Sequence, residues 1–208
     1  MDHIQTAKLA IRDQLLTARS RLSLAEIGAR ARATAEHLLA VPDVRRAATI
    51  AAYVSVGKEP GTGPLLDALH AAGKRVILPI VLPDLDLDWA VHAGDDSLAT
   101  ARRGLLEPTT PPLGKDAIGT ADVVIAPGLA ATPSGDRLGQ GGGCYDRALG
   151  RVPVGTPVFV VLNDEEVLDE LLASTHDRKG RSRLERGADL SLSMAQRHRS
   201  TTLINALA

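Results

Sequence analysis

The chain has 208 residues, with 24 Lys or Arg against 25 Asp or Glu, so its formal charge of −1 supplies no field for gathering nucleic acid or an anionic membrane surface. Apolar residues make up 44% of the sequence and aromatic residues only 2%, which leaves Ala, Leu, Val and Ile to build the core and no set of rings for stacking single-stranded bases. The single cysteine, Cys144, excludes an intrachain disulfide framework or a cysteine-rich zinc site, and no run approaches the roughly eighteen apolar residues of a membrane span, so the expected compartment is the cytoplasm.

Ile4, Ala7, Ile11, Leu15, Ala18 and Leu22 recur at steps of three and four, which predicts an amphipathic helix. Ser23 with Glu26 reads as a capping box that opens a second helix running to about Leu39 and closed by Pro42. The apolar run from Ala48 to Ser55 predicts a strand that leaves into the breaker-rich loop Gly57-Lys58-Glu59-Pro60-Gly61. Pro64 then suits a first helical position, Leu65, Leu66 and Leu69 form an apolar face, and Gly73 stops the helix before a strand from Val76 to Val81. This is a βαβ unit, normally with a right-handed crossover.

Leu87 to His92 predicts an antiparallel or edge strand, and Gly104 to Pro108 a turn. Asp122 to Ala126 reads as a buried strand, Pro127 to Gly143 as a long loop, and Tyr145 to Leu149 as the start of a short helix, with Trp89 in the core. Val158 to Leu162 predicts a further strand, after which Asn163 caps a helix from Glu165 to Leu172. The alternation implies an α/β fold in three layers, a mostly parallel sheet flanked by helices with the N-terminal helices packed on it. The domain is expected to span residues 1–177. Residues 178–208 carry Arg178, Lys179, Arg181, Arg183, Arg186, Arg197 and Arg199 against Glu185 and Asp189, show no convincing strand, and are expected to be a solvated tail that trypsin removes early with little effect on activity.

The strongest chemical feature is Arg137-Leu138-Gly139-Gln140-Gly141-Gly142-Gly143-Cys144-Tyr145-Asp146, which follows a buried strand and leads into a helix. Its glycines let backbone N–H groups close around an anion, Arg137 can pair with a phosphate, and Asp146 can hold the magnesium that accompanies it. The spacing is neither a Walker loop nor a dinucleotide fingerprint, and a flexible surface loop is the plain alternative. Lys8 and Arg12 form a like-charge i, i+4 pair on the first helix, with no acid three or four residues from either, which an anion from elsewhere would relieve. Glu59 follows a strand in a loop of the type where open α/β sheets place ligand groups, although a solvated Glu is the simpler reading. The histidines lack metal-ligand spacing, and nothing marks a base for Cys144.

Together and in this order these features resemble the 5-formyltetrahydrofolate cyclo-ligase family, also called 5,10-methenyltetrahydrofolate synthetase. The resemblance rests on Lys8 to Arg12 for an opening Lys-x-x-x-Arg, Tyr53 to Thr62 for a strand and Glu-x-x-Thr loop, and Gly104 to Pro108 for a Gly-Ile-x-Glu-Pro turn. Pro127 to Ala130 and Arg137 to Asp146 match the family's hallmark Pro-Gly-x-Ala and Arg-Leu-Gly-x-Gly-x-Gly-Tyr-Tyr-Asp. The resemblance implies an ATP- and Mg²⁺-dependent enzyme that converts 5-formyltetrahydrofolate into 5,10-methenyltetrahydrofolate, ADP and phosphate. The formyl oxygen attacks the γ-phosphate, N10 adds to the activated carbon, and phosphate leaves as the ring closes.

By residue matching, the resemblance implies that Lys8, Leu9, Ala10, Ile11 and Arg12, with Arg137, Leu138, Gly139, Gln140, Gly141, Gly142, Gly143, Cys144 and Tyr145, contact ATP. Val54, Glu59 and the Gln140 to Cys144 segment contact folate, Asp146 and Asp177 bind magnesium, and Lys8, Arg137 and Tyr145 are the catalytic candidates. The expected partners are these two small molecules, with neither nucleic acid nor membrane, and the expected state is a monomer. Two departures stand out. Cys144 replaces the first Tyr of the pair, and Gly180-Arg181-Ser182-Arg183 follows where the family continues into a terminal strand, as if the residues after Lys179 came from another reading frame. A folate- and ATP-binding protein with reduced or no turnover is therefore the alternative, and an ATP-dependent kinase or ligase acting on another small acid is a third reading.

Overall fold

The computed structural model describes residues 3–171, 196–198 and 201–207. Helix α1 (His3–Ser20) and helix α2 (Leu24–Ala40) meet at the predicted capping box, where Ser23 Oγ accepts from Glu26 N at 3.2 Å and Glu26 Oε2 accepts from Ser23 N at 2.8 Å. Pro42 does more than end α2: its fixed φ suits a first helical position, and it opens helix α3 (Pro42–Arg46). Strand β1 (Thr49–Ala51), helix α4 (Gly63–Ala71) and strand β2 (Arg75–Val81) form the expected βαβ unit, with Ile50 opposite Val76 in a parallel ladder.

Strand β3 (Leu87–Val91) runs antiparallel to β2 at the sheet edge, as its pattern suggested. The Gly104 to Pro108 segment is more than a turn. Strand β4 (Leu98–Thr100) and strand β5 (Leu106–Pro108) make a small hairpin, and the Glu107 carboxylate ties it to the sheet by accepting from Val81 N at 3.0 Å. Strand β6 (Val123–Pro127) follows. The long loop after it contains a second hairpin of strand β7 (Ala130–Ala131) and strand β8 (Arg137–Leu138), too short to leave a period in the sequence. Helix α5 (Cys144–Leu149) and strand β9 (Pro157–Asn163) complete the parallel part.

Asn163 caps a 3-10 turn at Asp164–Glu166 and not the expected helix to Leu172. The chain instead turns back along the hairpin: Leu168 N donates to Ala131 O at 3.0 Å, and Leu168 and Leu171 pack beside Leu15, Leu129 and Leu138. The tail is also corrected. Strand β10 (Gln196–His198) pairs with strand β11 (Thr201–Leu207), and β11 lies antiparallel to β9 over the full register from Thr201 opposite Asn163 to Leu207 opposite Pro157. The arginines before residue 200 dominate the composition, whereas Thr201, Thr202 and Ile204 are β-branched and no residue of 201–207 is charged, which suits a strand beside the apolar β9.

The sheet order is β10-β11-β9-β6-β1-β2-β3, with β9, β6, β1 and β2 parallel. Alternate residues face two cores. On one side Ile50, Val76, Leu78, Ile125 and Phe159 pack against Leu38 of α2 and Leu65 and Leu69 of α4. On the other Ala51, Ile77, Val124 and Val158 meet Trp89, Ile118 and Ala148 of α5, which makes the three layers. Helix α1 lies apart from both, with Ile11 and Leu15 seated on Leu129, Ala130 and Leu138 of the β7–β8 hairpin.

Candidate functional site at the carboxyl ends of the central strands

The chain leaves β1 toward β2 on one side and later places β6 and β9 on the other, so the connections from β1 and β6 part at their carboxyl ends. In an open α/β sheet this crevice is where ligands bind. The loop after β1 is tightly closed: Thr62 Oγ1 donates to Tyr53 O at 2.8 Å, Ser55 N donates to Thr62 Oγ1, and Thr62 N donates to Ser55 Oγ, both at 3.0 Å. Gly61 is needed here because a Cβ would lie 2.7 Å from the Ala31 Cβ on α2. The closure aims Glu59 inward, and Val56 N donates to its Oε2 at 3.0 Å. Val54 is half-buried against the α2 and α4 core.

Burial pushes the Glu59 carboxyl above the ordinary carboxylate range, while the Val56 N–H, the charge of Arg19 and the Gln140 amide draw it back. Gln140 Nε2 donates to Glu59 Oε1 at 2.9 Å, so the glycine loop and the β1 loop, 81 residues apart, meet at this pair. Two site segments expected from sequence are therefore brought together.

A third segment comes from α1. Arg12 Nε donates to Gly139 O at 2.9 Å, and its guanidinium lies over the loop, since a Cβ at Gly141 would be 3.5 Å from Arg12 Cζ. Lys8 is half-buried one turn earlier; Leu9 and Ala10 are exposed, and Ile11 serves as packing on the hairpin. The structure thus gives the segment from Lys8 to Arg12 one residue in contact with the loop, Arg12.

Arg137 is nearly buried, donates from Nη1 to Pro127 O at 3.0 Å, and lies 5.8 Å from the Tyr145 ring centroid. Its Nη2 pairs with Asp146, whose carboxylate is 72% exposed. Leu138 is buried in the hairpin core. Gly141 and Gly143 adopt φ of +101° and +67°, which side chains rarely allow. Arg147 Nη2 donates to Leu85 O at 2.6 Å and to Gly142 O at 3.2 Å. Cys144 is half-buried and packs toward the second core. Tyr145 stands edge-on to Trp89 at 6.5 Å, and its hydroxyl is buried without a hydrogen-bond partner among the described residues; burial raises its phenol above the usual range. Asp177 lies outside the described residues.

The sequence reading missed Arg19 and Glu166. Arg19, in the last turn of α1, is buried and binds Glu166 through Nε–Oε1 at 2.6 Å and Nη2–Oε2 at 2.8 Å, while Nη2 also donates to Gly128 O at 2.6 Å. The available signal was position, because Lys8, Arg12, Leu15 and Arg19 fall on one helical stripe. Gly128 fits there as glycine only: a Cβ would lie 2.7 Å from Val160 Cγ1.

The model of the 5-formyltetrahydrofolate cyclo-ligase family matches residues 4–180. The 5-formyltetrahydrofolate cyclo-ligase of Mycolicibacterium smegmatis (strain ATCC 700084 / mc(2)155) is 44% identical over 134 residues, covering 62% of this chain and 69% of that protein. The Escherichia coli (strain K12) protein of the same name is 35% identical over 117 residues, covering 55% of this chain and 64%, under two thirds, of its own length. Among solved structures, the NMR structure of Aquifex aeolicus 5,10-methenyltetrahydrofolate synthetase superimposes with a TM-score of 0.69 at 25% identity, covering 81% of this chain and 84% of the other. A 5,10-methenyltetrahydrofolate synthetase from Mycoplasma pneumoniae shares the fold, with a TM-score of 0.56 at 23% identity over 76% of this chain and 82% of that one. With its glycine loop, Glu59 loop and cationic first helix gathered at one crevice, and with the family model matched over most of its length, this chain belongs to the 5-formyltetrahydrofolate cyclo-ligase family.

Proposed function

We propose that this chain is an enzyme that uses ATP to convert 5-formyltetrahydrofolate into 5,10-methenyltetrahydrofolate, with ADP and phosphate as the other products, and that it works as a cytoplasmic monomer. The observation that carries the reading is the Gln140–Glu59 hydrogen bond at 2.9 Å, which joins a phosphate-type glycine loop to a carboxylate suited to the N–H groups of a pterin. Lys8, Arg12, Arg137 and the loop N–H groups are assigned to ATP, and Val54, Glu59 and the loop's inner surface to folate. No described helix is long and apolar enough to cross a membrane.

The chemistry asks for stabilisation of negative charge on the transferring phosphoryl oxygens, and cationic and N–H donors supply it without a proton transfer. The formyl oxygen attacks the γ-phosphorus, ADP leaves, N10 adds to the activated carbon, and phosphate departs as the methenyl bridge forms. Tyr145, with a buried and unpartnered hydroxyl behind the loop, is assigned to donate to a ligand oxygen.

The Arg137–Asp146 pair is consistent with a magnesium nucleotide, because each member carries the charge opposite to the group it would receive. Asp146 offers a hard, exposed oxygen donor, and Asp177 is the second proposed ligand. Among the described residues no cluster of three or more His, Cys, Asp or Glu could hold a metal alone, so phosphate and water oxygens would complete the shell, as is usual for this ion. When bound, magnesium would neutralise phosphoryl charge.

Mixing the protein with Mg-ATP and 5-formyltetrahydrofolate tests the proposal: absorbance of the methenyl chromophore should rise together with released phosphate. Folded protein that binds both ligands and forms no product would identify a binding protein instead.

A further inference from the structure

We propose that Arg19, locked by Glu166, is a positioning residue for the folate side of the site: it fixes α1 across the glycine-loop stem and holds a permanent positive charge facing Glu59. The inference rests on the assignment of Glu59 to folate. Arg19 and Glu166 are 3% and 1% exposed, and a buried pair is retained at a desolvation cost, so its placement asks for a reason.

The geometry supplies one. Both Glu166 oxygens are doubly engaged: Oε1 accepts from Arg19 Nε and from Asn163 Nδ2 at 2.8 Å, and Oε2 accepts from Arg19 Nη2 and from Asn163 N at 2.8 Å. The carboxylate is therefore fixed by the end of β9, and it fixes the guanidinium in turn. Arg19 Nη2 also holds Gly128 O, one residue after Pro127, whose carbonyl receives Arg137. One buried guanidinium thus joins α1, the turn after β6 and the end of β9. Those are the segments that set Arg12 and Arg137 around the glycine loop.

The same charge acts on Glu59. The groups facing Glu59 are the Val56 N–H, the Gln140 amide, the buried phenols of Tyr53 and Tyr145, and Arg19, which is the one cation among them. A carboxylate that must stay ionised in a buried pocket needs such a countercharge at a fixed distance, and an Arg clamped by a bidentate partner provides it without swinging onto the ligand.

The test replaces both members of the pair, Arg19→Met with Glu166→Met, so that no buried charge is left alone. Titration of the Glu59 carboxyl by ¹³C NMR in the unliganded protein, assigned with Glu59→Gln, should move upward by roughly one pH unit. The acidic limb of kcat/KM for 5-formyltetrahydrofolate should move with it, for a loss of about tenfold at pH values below the limb. A purely structural pair would leave both unchanged, and that result overturns the proposal. Unfolding of the double variant also overturns it, since the pair would then act through stability. The NMR titration needs no turnover, so a wild-type protein without cyclo-ligase activity would refute the proposed function while the Glu59 titration still decides the role of Arg19.

Discussion

Glu59→Gln should raise the stability of the protein and lower its turnover of folate. The wild-type carboxyl is buried and titrates above its ordinary value, so the folded chain binds that proton more tightly than the unfolded chain. The stability contribution is therefore fully present below the unfolded Glu value of about 4.3 and is lost as pH rises through the folded value. At neutral pH the wild type carries this deficit and the variant does not. Gln keeps the geometry: its carbonyl can accept from Val56 N, and Gln140 can turn its own amide to accept from the new NH₂, so neither bond of 3.0 and 2.9 Å is lost. Removing a desolvated charge while keeping its bonds is worth on the order of 1 kcal/mol, which corresponds to a melting temperature about 2 to 4 °C higher for a chain of this size. Folate recognition changes in the opposite direction. Replacing a carboxylate acceptor by a neutral amide weakens a charge-assisted hydrogen bond by about 1.5 to 3 kcal/mol, roughly 10- to 150-fold in kcat/KM for the folate, with the KM for ATP little altered. Thermal melts from pH 4 to 8 and steady-state kinetics measure both. The stability gap between variant and wild type should be absent near pH 4 and open as pH rises. A variant that melts lower at every pH, or one that loses ATP and folate affinity together, would show that Glu59 serves the loop and not the ligand.

Arg12→Ala should raise the KM for ATP about tenfold, through loss of one charged contact, with a small change in melting temperature because its hydrogen bond to Gly139 O is only partly buried; equal losses in stability and affinity would make Arg12 a packing residue. Gly128→Ala should destabilise by about 1 to 3 kcal/mol, because its Cβ would stand 2.7 Å from Val160 Cγ1 and 3.2 Å from Leu162 Cδ2, and an unchanged melt would mean that β9 yields freely. Ending the chain after residue 195 should lower solubility and stability by exposing the edge of β9 along its whole register with β11, contrary to the dispensable tail expected from composition; a truncated protein as stable and soluble as the full chain would remove β11 from the fold.

What could be read from the sequence is what is determined over short spans. The Ser23–Glu26 box, Pro64 opening α4, and the apolar runs of β1, β2, β6 and β9 each state their geometry within a few residues. The glycine loop announced itself for the same reason. Features set by distant partners were not legible. Arg19 and Glu166 are 147 residues apart, and an arginine in the last turn of a helix reads as solvated until the chain is folded. The expected helix after Asn163 had a capping box, and the box is present, but Glu166 is also claimed by Arg19 and Leu168 by Ala131, so the chain makes one 3-10 turn and leaves. In the tail, charge counting over thirty-one positions hid a seven-residue strand whose need came from β9 and not from itself.

The glycine loop is preorganised by its carbonyls. A trans peptide points its N–H away from its C=O, so fixing an oxygen also aims the next nitrogen. Gly139 O is held by Arg12, which directs the Gln140 N–H to the opposite side, and Gly142 O is held by Arg147, which does the same for Gly143 N–H. Positive φ at Gly141 and Gly143 lets the chain reverse between these fixed points, as an anion-binding concavity requires. Arg147 ties the far end to Leu85 O, and Arg151, one turn on, grips the neighbouring Asp86 carboxylate through bonds of 2.9 and 2.6 Å, so the loop is anchored to the β2–β3 turn as well as to α1 and Glu59. Four glycines would otherwise make this segment costly to order on binding. Here the arginines order it beforehand, and the binding energy of a nucleotide can go to separating Arg137 from Asp146 and to holding the phosphoryl group where the folate can reach it.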